Sequence, residues 1–227
     1  MIAMRTLSLH ISGNEYKDRL LRTQEMIKAR GLDGLIACSM MVDKQGNVLY
    51  LTNHRTVIPP WAFDEERRGF GYCACLVRVS GEIILAPGTT FEQDQLAPTV
   101  GDVISGPNLS ATIIEGMKKL GLETGRIGIA GADVLPLAIY QDVVASLPKA
   151  AFVVADDILN LQRMIKSPTE IAIMEVGAKI ADKGLEAAFK SSKPGGTEND
   201  ISIAAYSACL KAEADYIVRT RVRSGPD

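Results

Sequence analysis

The chain has 227 residues, 47% of them apolar, with a formal net charge of −2. That length exceeds the usual single domain, so one full domain plus a piece of another is expected. The near-neutral charge excludes general attraction to nucleic acid or an anionic membrane surface. No stretch reaches the roughly 20 apolar residues that span a bilayer, and Met1-Ile-Ala-Met-Arg-Thr lacks an apolar signal core, so a cytoplasmic location is expected.

Ser12 and Glu15 are spaced to box a first helix running to about Arg30 and ending at Gly31, with Tyr16, Leu20, Thr23 and Ile27 inward. Residues 35–39 read as a short buried strand, and residues 48–51 as the next apolar element. A long aperiodic segment, residues 53–69, carries His54, Arg55 and Trp61, the last being the single tryptophan. Residues 70–79 and 82–86 read as an antiparallel pair joined through Ser80-Gly81. A short helix over 91–96, a strand over 102–105, a helix capped by Ser110 and reaching Leu120, and a strand over 126–130 come next. A helix over 135–147 and a strand over 151–155 complete an alternation that argues for a mixed sheet covered by helices.

Several local patterns admit a bland reading. Gly125 to Gly131 is spaced like a dinucleotide loop, but Ile127 and Ile129 alternate as a strand where that loop should follow one. Asp156-Asp157 reads as a turn and helix cap before Ile158 rather than a metal site. Cys38, Cys73, Cys75 and Cys209 are scattered without a Cys-x-x-Cys pair, which fits buried reduced thiols. Arg219, Arg221 and Arg223 fall on one face of an expected strand, either as a solvated edge or as a carboxylate- or domain-facing row.

The most informative stretch is 163–201. Ser167 is placed as an N-cap, Pro168 at the first helical position and Glu170 three residues on, a capping box. Ile171, Met174, Ala178, Ala181, Leu185 and Ala188 make an apolar stripe, widened by Ile173, Val176 and Ile180, so the helix is expected between two layers. Pro194-Gly195-Gly196 stops it. Thr197 with Asp200 caps the next, which offers Ile201, Ala205, Ala208 and Ala212 for close packing.

Arg163, Lys166, Ser167, Pro168, Glu170 and Ile171, followed by Lys193, Pro194, Gly195, Thr197 and Glu198, together resemble the Xaa-Pro dipeptidase, aminopeptidase P and creatinase family. Asn47 to Asn53 resembles a strand segment of the amino-terminal domain of those enzymes, and residues 126–130 its last central strand. The resemblance implies an α/β fold: a mixed-sheet creatinase/prolidase-type N-terminal domain over 1–160, then two helices and a strand of an incomplete pita-bread catalytic domain over 161–227. It implies a metal-dependent Xaa-Pro peptidase; a creatinase-like amidine or amide hydrolase and a non-catalytic binding or dimerisation module remain open. In the resembling peptidases two divalent ions (Mn, Co or Zn) are held by two Asp, one His and two Glu. All five lie beyond the point where this chain finishes, and Asp227 comes too early to match the first. No catalytic or metal-binding residue is therefore carried over, and the 227-residue chain is expected to be inactive alone. A homodimer is expected, with a peptide or small-molecule substrate for the longer form and neither nucleic acid nor membrane as partner. His54, Arg55 and Trp61 are expected to face a neighbouring subunit or a substrate, Arg55 pairing with a carboxylate and Trp61 stacking on a proline ring. The alternative is that Trp61 covers a surface groove and the charges are solvated.

Overall fold

The computed structural model describes residues 10–41, 44–56, 65–88 and 95–225, which fall into two compact units: a first of residues 12–165, and a second of residues 166–225 together with residues 10–11. The expected helix over 91–96 lies mostly outside the described residues.

The first unit contains a six-stranded sheet of order β4-β3-β2-β1-β5-β6. Its strands are β1 (Gly34–Met40), β2 (Tyr72–Arg78), β3 (Ile83–Ala86), β4 (Asp102–Val103), β5 (Arg126–Ala130) and β6 (Ala151–Val154). β1 is parallel to β5 and β5 to β6, while β2 runs antiparallel to both β1 and β3, and β3 is parallel to β4. Only β2 therefore opposes the common direction. It returns to β3 through Ser80-Gly81, where Gly81 adopts φ 106°, a left-handed conformation that side chains resist.

Strand alternation sorts the side chains onto two covered faces. Ile36, Cys38, Ala74 and Leu76 meet α3 (Leu109–Lys119) and α4 (Leu137–Ser146) through Leu109, Ile113, Met117, Ile139 and Val143. Leu35, Ala37, Cys73, Cys75 and Val77 meet α1 (Gly13–Ala29), α2 (Gly46–Thr52) and α5 (Asp157–Met164) through Ile27, Val48, Leu51, Ile158 and Leu159. The mixed α/β sandwich expected from the alternation is thus present. Cys38, Cys73 and Cys75 are buried as free thiols, and burial pushes the Cys38 thiol up to about 12.

Some local details differ from the sequence reading. Residues 47–53, likened to a strand, fall instead in α2 and its cap Asn53, because Val48, Leu51 and Thr52 reach the core at helical spacing. The helix after β4 is capped by Asn108, whose Oδ1 accepts from Ala111 N–H at 3.1 Å; Ser110 instead donates to Asp142 at 2.8 Å. Asp156 precedes α5 without making a side-chain cap. Its Oδ1 accepts from the backbone N–H groups of Gly131 and Ala132.

In the second unit α6 (Pro168–Ser191) and α7 (Glu198–Lys211) both begin with complete capping boxes, Ser167 with Glu170 and Thr197 with Asp200. Gly184 lets them close: a Cβ there would lie 2.5 Å from Cys209 Sγ. The apolar stripe is not buried as expected: its Ile171, Met174 and Leu185 are exposed, and so is Phe189 on the same face. The strand expected at 219–223 is also absent, since no ladder pairs those residues among the described ones. No helix among the described residues is long and apolar enough to cross a membrane.

Candidate functional site

Two places in the first unit gather polar side chains against the sheet. One is the end of α2, where the segment carrying His54 and Arg55 begins. Asn53 closes the helix at φ 58°, its N–H returning to Leu49 O at 3.0 Å. The last carbonyls of a helix lack partners of their own. Here Arg19 donates to Tyr50 O at 2.9 Å and Ala97 N–H to Thr52 O at 2.9 Å. Arg19 is itself buried, lies 5.2 Å from the Tyr16 ring centroid and 4.2 Å from that of Tyr50, and pairs with Glu15 at 2.7 Å. Beyond the cap, Thr52 Oγ1 accepts from His54 N–H at 3.0 Å, and Gln45 donates to Thr56 O at 3.2 Å.

These bonds draw His54 inward, to 6% exposure, while Arg55 beside it stays exposed. Burial lowers the His54 pKa from 6.5 to about 4, so the imidazole is neutral near pH 7. A neutral ring offers one donor and one acceptor rather than a charge. Trp61 lies outside the described residues, so the three sequence candidates are seen as one buried and one exposed side chain.

The second place was not legible from spacing. A cavity of about 490 Å³ opens at the carboxyl ends of β1, β5 and β6, lined by Lys44, Gly46, Asn47, Asp133, Val134, Asp156, Asn160 and Arg163. Arg163 Nη1 donates to Asn47 Oδ1 at 2.7 Å, and Lys44 pairs with Asp133. The Arg163 guanidinium lies directly over Gly46, where an added Cβ would stand 1.8 Å from Nη2. Gly131, at φ 95°, brings the β5 end against Cys38 O: a Cβ would sit 2.7 Å from it. Arg163 and Asn47 each belong to a stretch the sequence singled out, but their contact joins residues 116 apart. Among the described residues no three or more His, Cys, Asp or Glu side chains converge in a way that could hold a metal ion.

Comparison with known proteins places this architecture. The family model for the creatinase/prolidase N-terminal domain matches residues 19–165. An uncharacterized hydrolase/peptidase of Sinorhizobium fredii is 25% identical over 228 residues, covering 92% of this chain and 53% of that protein. An Xaa-Pro dipeptidase of Pyrococcus horikoshii is 30% identical over 89 residues, 39% of this chain and 23% of its own length. Among solved structures, an Xaa-Pro dipeptidase from Bacillus anthracis superimposes with TM-score 0.65 at 17% identity, over 86% of this chain and 49% of that one. A prolidase from Pyrococcus furiosus does so with TM-score 0.64 at 19% identity, over 85% and 52%. At such identities the structural likeness speaks for the fold. The chain spans about half the length of the Sinorhizobium protein and of both solved structures.

Proposed function

The chain belongs to the creatinase/prolidase N-terminal domain family, and from that premise we propose that it serves as the amino-terminal part of an Xaa-Pro peptidase of the prolidase type. The single observation that carries this reading is the match over 19–165, joined by a fold overlap with prolidases that covers 85–86% of this chain but only about half of their length. In this reading the second unit begins a pita-bread catalytic domain. The exposed stripe of Ile171, Met174, Leu185 and Phe189 is then the face that the remainder of that domain covers.

The peptidase chemistry would use two divalent ions, which polarise the scissile carbonyl and supply a hydroxide near neutral pH. The described residues do not fit such a centre, because no cluster of suitable ligands exists among them. No catalytic step is assigned to this chain. Its contribution is support and access: a rigid sandwich that presents the loop beginning at residues 53–56 toward a second, cytoplasmic copy of the protein or toward substrate. Within the described residues 53–56 Arg55 is exposed and His54 is buried; Arg55 is the proposed partner of a carboxylate and Trp61 the proposed stacking surface.

The test has two arms. The reading frame past the codon for Asp227 should continue and encode two Asp, one His and two Glu ligands; a stop codon there would overturn the reading. The 227-residue chain, incubated with glycyl-proline and Mn²⁺, should release no proline. Release that a chelator abolishes would place the ligands within this chain instead.

A further inference from the structure

The cavity at the strand ends sits where the sheet's connections part. β1 leads into α2, whose Val48 and Leu51 pack on one face of the sheet. Its parallel neighbour β5 leads into α4, whose Ile139 and Val143 pack on the opposite face. In open α/β sheets the crevice outside the carboxyl ends of two such strands is the place where ligands bind. At about 490 Å³ the cavity is within the usual range for small-molecule sites.

Its lining decides the ligand class. Four charged side chains border it, Lys44 and Arg163 against Asp133 and Asp156. A phosphate or other net anion would meet two carboxylates, and a net cation would meet Lys44 and Arg163. A molecule carrying one charge of each sign suits both pairs. We propose that this cavity binds a small zwitterion with a carboxylate and an ammonium group, the chemistry of a free α-amino acid or a short unblocked dipeptide.

The geometry supports each end. Arg163 is held at the cavity wall by its bond to Asn47 and by the space that Gly46 leaves over its guanidinium, the side-chain cation whose planar shape best matches a carboxylate. Lys44 and Asp133 pair across the mouth with side chains 52% and 60% exposed. An exposed pair of that kind contributes little to stability, so a ligand that supplies both opposite charges can take its place. Asp156 is held by the N–H groups of Gly131 and Ala132, which keep its carboxylate at the cavity wall. None of these contacts depends on peptidase activity.

The experiment is a ¹⁵N amide titration of the whole chain with L-alanine and with L-alanyl-L-alanine. N-acetyl-alanine, alaninamide and inorganic phosphate serve as single-charge controls. At least one zwitterion should give saturable shifts centred on residues 44–47, 131–134 and 156–163, and which one does so sets the size class. Either blocked form and phosphate should bind at least tenfold more weakly. Arg163→Gln and Gly46→Ala should each weaken zwitterion binding at least tenfold. Asp133→Asn, at an exposed position that leaves the packing alone, should do the same even where Gly46→Ala fails to fold. Absence of saturable shifts, equal binding of a blocked form or phosphate, or unchanged affinity in Asp133→Asn would each overturn the proposal.

Discussion

Burial of an ionisable ring ties the stability of the first unit to pH. His54 protonates near 6.5 when unfolded and only near 4 in the fold, where burial disfavours its charged form. Between those values the unfolded chain holds the extra proton, so stability falls as pH drops from about 6.5 to about 4 and changes no further below that. The separation corresponds to about 3 kcal/mol. The carboxylates of Glu82, held low chiefly by Ser80, and Asp102, held low chiefly by Lys119, act with another window. Their contribution is present above the ordinary carboxylate range and is lost as pH falls through it and lower. Urea midpoints at pH 7 and pH 4.5 separate the two, since His54→Gln removes the histidine contribution and keeps the rest. The wild type should lose more stability over that interval than the variant; equal losses would mean that His54 is as easily protonated in the fold as outside it.

Among the elements, β5 carries a packing constraint on three sides. Gly128 faces Ala155, Leu32 and Leu35, and a Cβ there would come within 2.8 Å of Ala155 Cβ, 2.9 Å of Leu32 Cδ1 and 3.0 Å of Leu35 Cδ1. The glycine in this nucleotide-like run thus serves packing, not phosphate approach. Gly128→Val should cost ~1–3 kcal/mol by overpacking, read as a lower urea midpoint with an unchanged slope; an unshifted midpoint would show the contact to be yielding. Elements whose signals are local were legible in advance. The boxes at Ser167 and Thr197 need only residues three apart, and β1, β2, β3 and β5 need only alternation and a turn. α2 was not, because four apolar residues in a row carry no period of their own. Its helical state is set by Ser39, whose Oγ accepts from Val48 N–H at 3.0 Å, and by the Asn53 cap. The strand-end cavity was hidden for a related reason: Lys44, Asp133 and Arg163 meet only after the sheet has ordered β1 beside β5.

At the scale of the whole molecule the two units differ in what they enclose. Every fully packed member of the two core clusters, from Ile27 to Leu159, lies within Ser12–Ile165. In α6 and α7 the sole buried residue is Gly184, while Met174 is 58%, Leu185 56% and Phe189 77% exposed. An apolar face of that extent marks a surface that another body covers. A chain ended after Ile165 should therefore still unfold in one cooperative urea transition, because no buried side chain of its sandwich is removed. The 227-residue chain should bind a hydrophobic dye such as ANS and associate with rising concentration, and the shortened chain should do neither. Dye binding of equal strength in both would assign the exposed apolar surface to the sandwich, and with it the face that α6 presents for covering. Loss of the cooperative transition on shortening would instead make α6 and α7 part of the folding unit, contrary to a core that closes before Lys166.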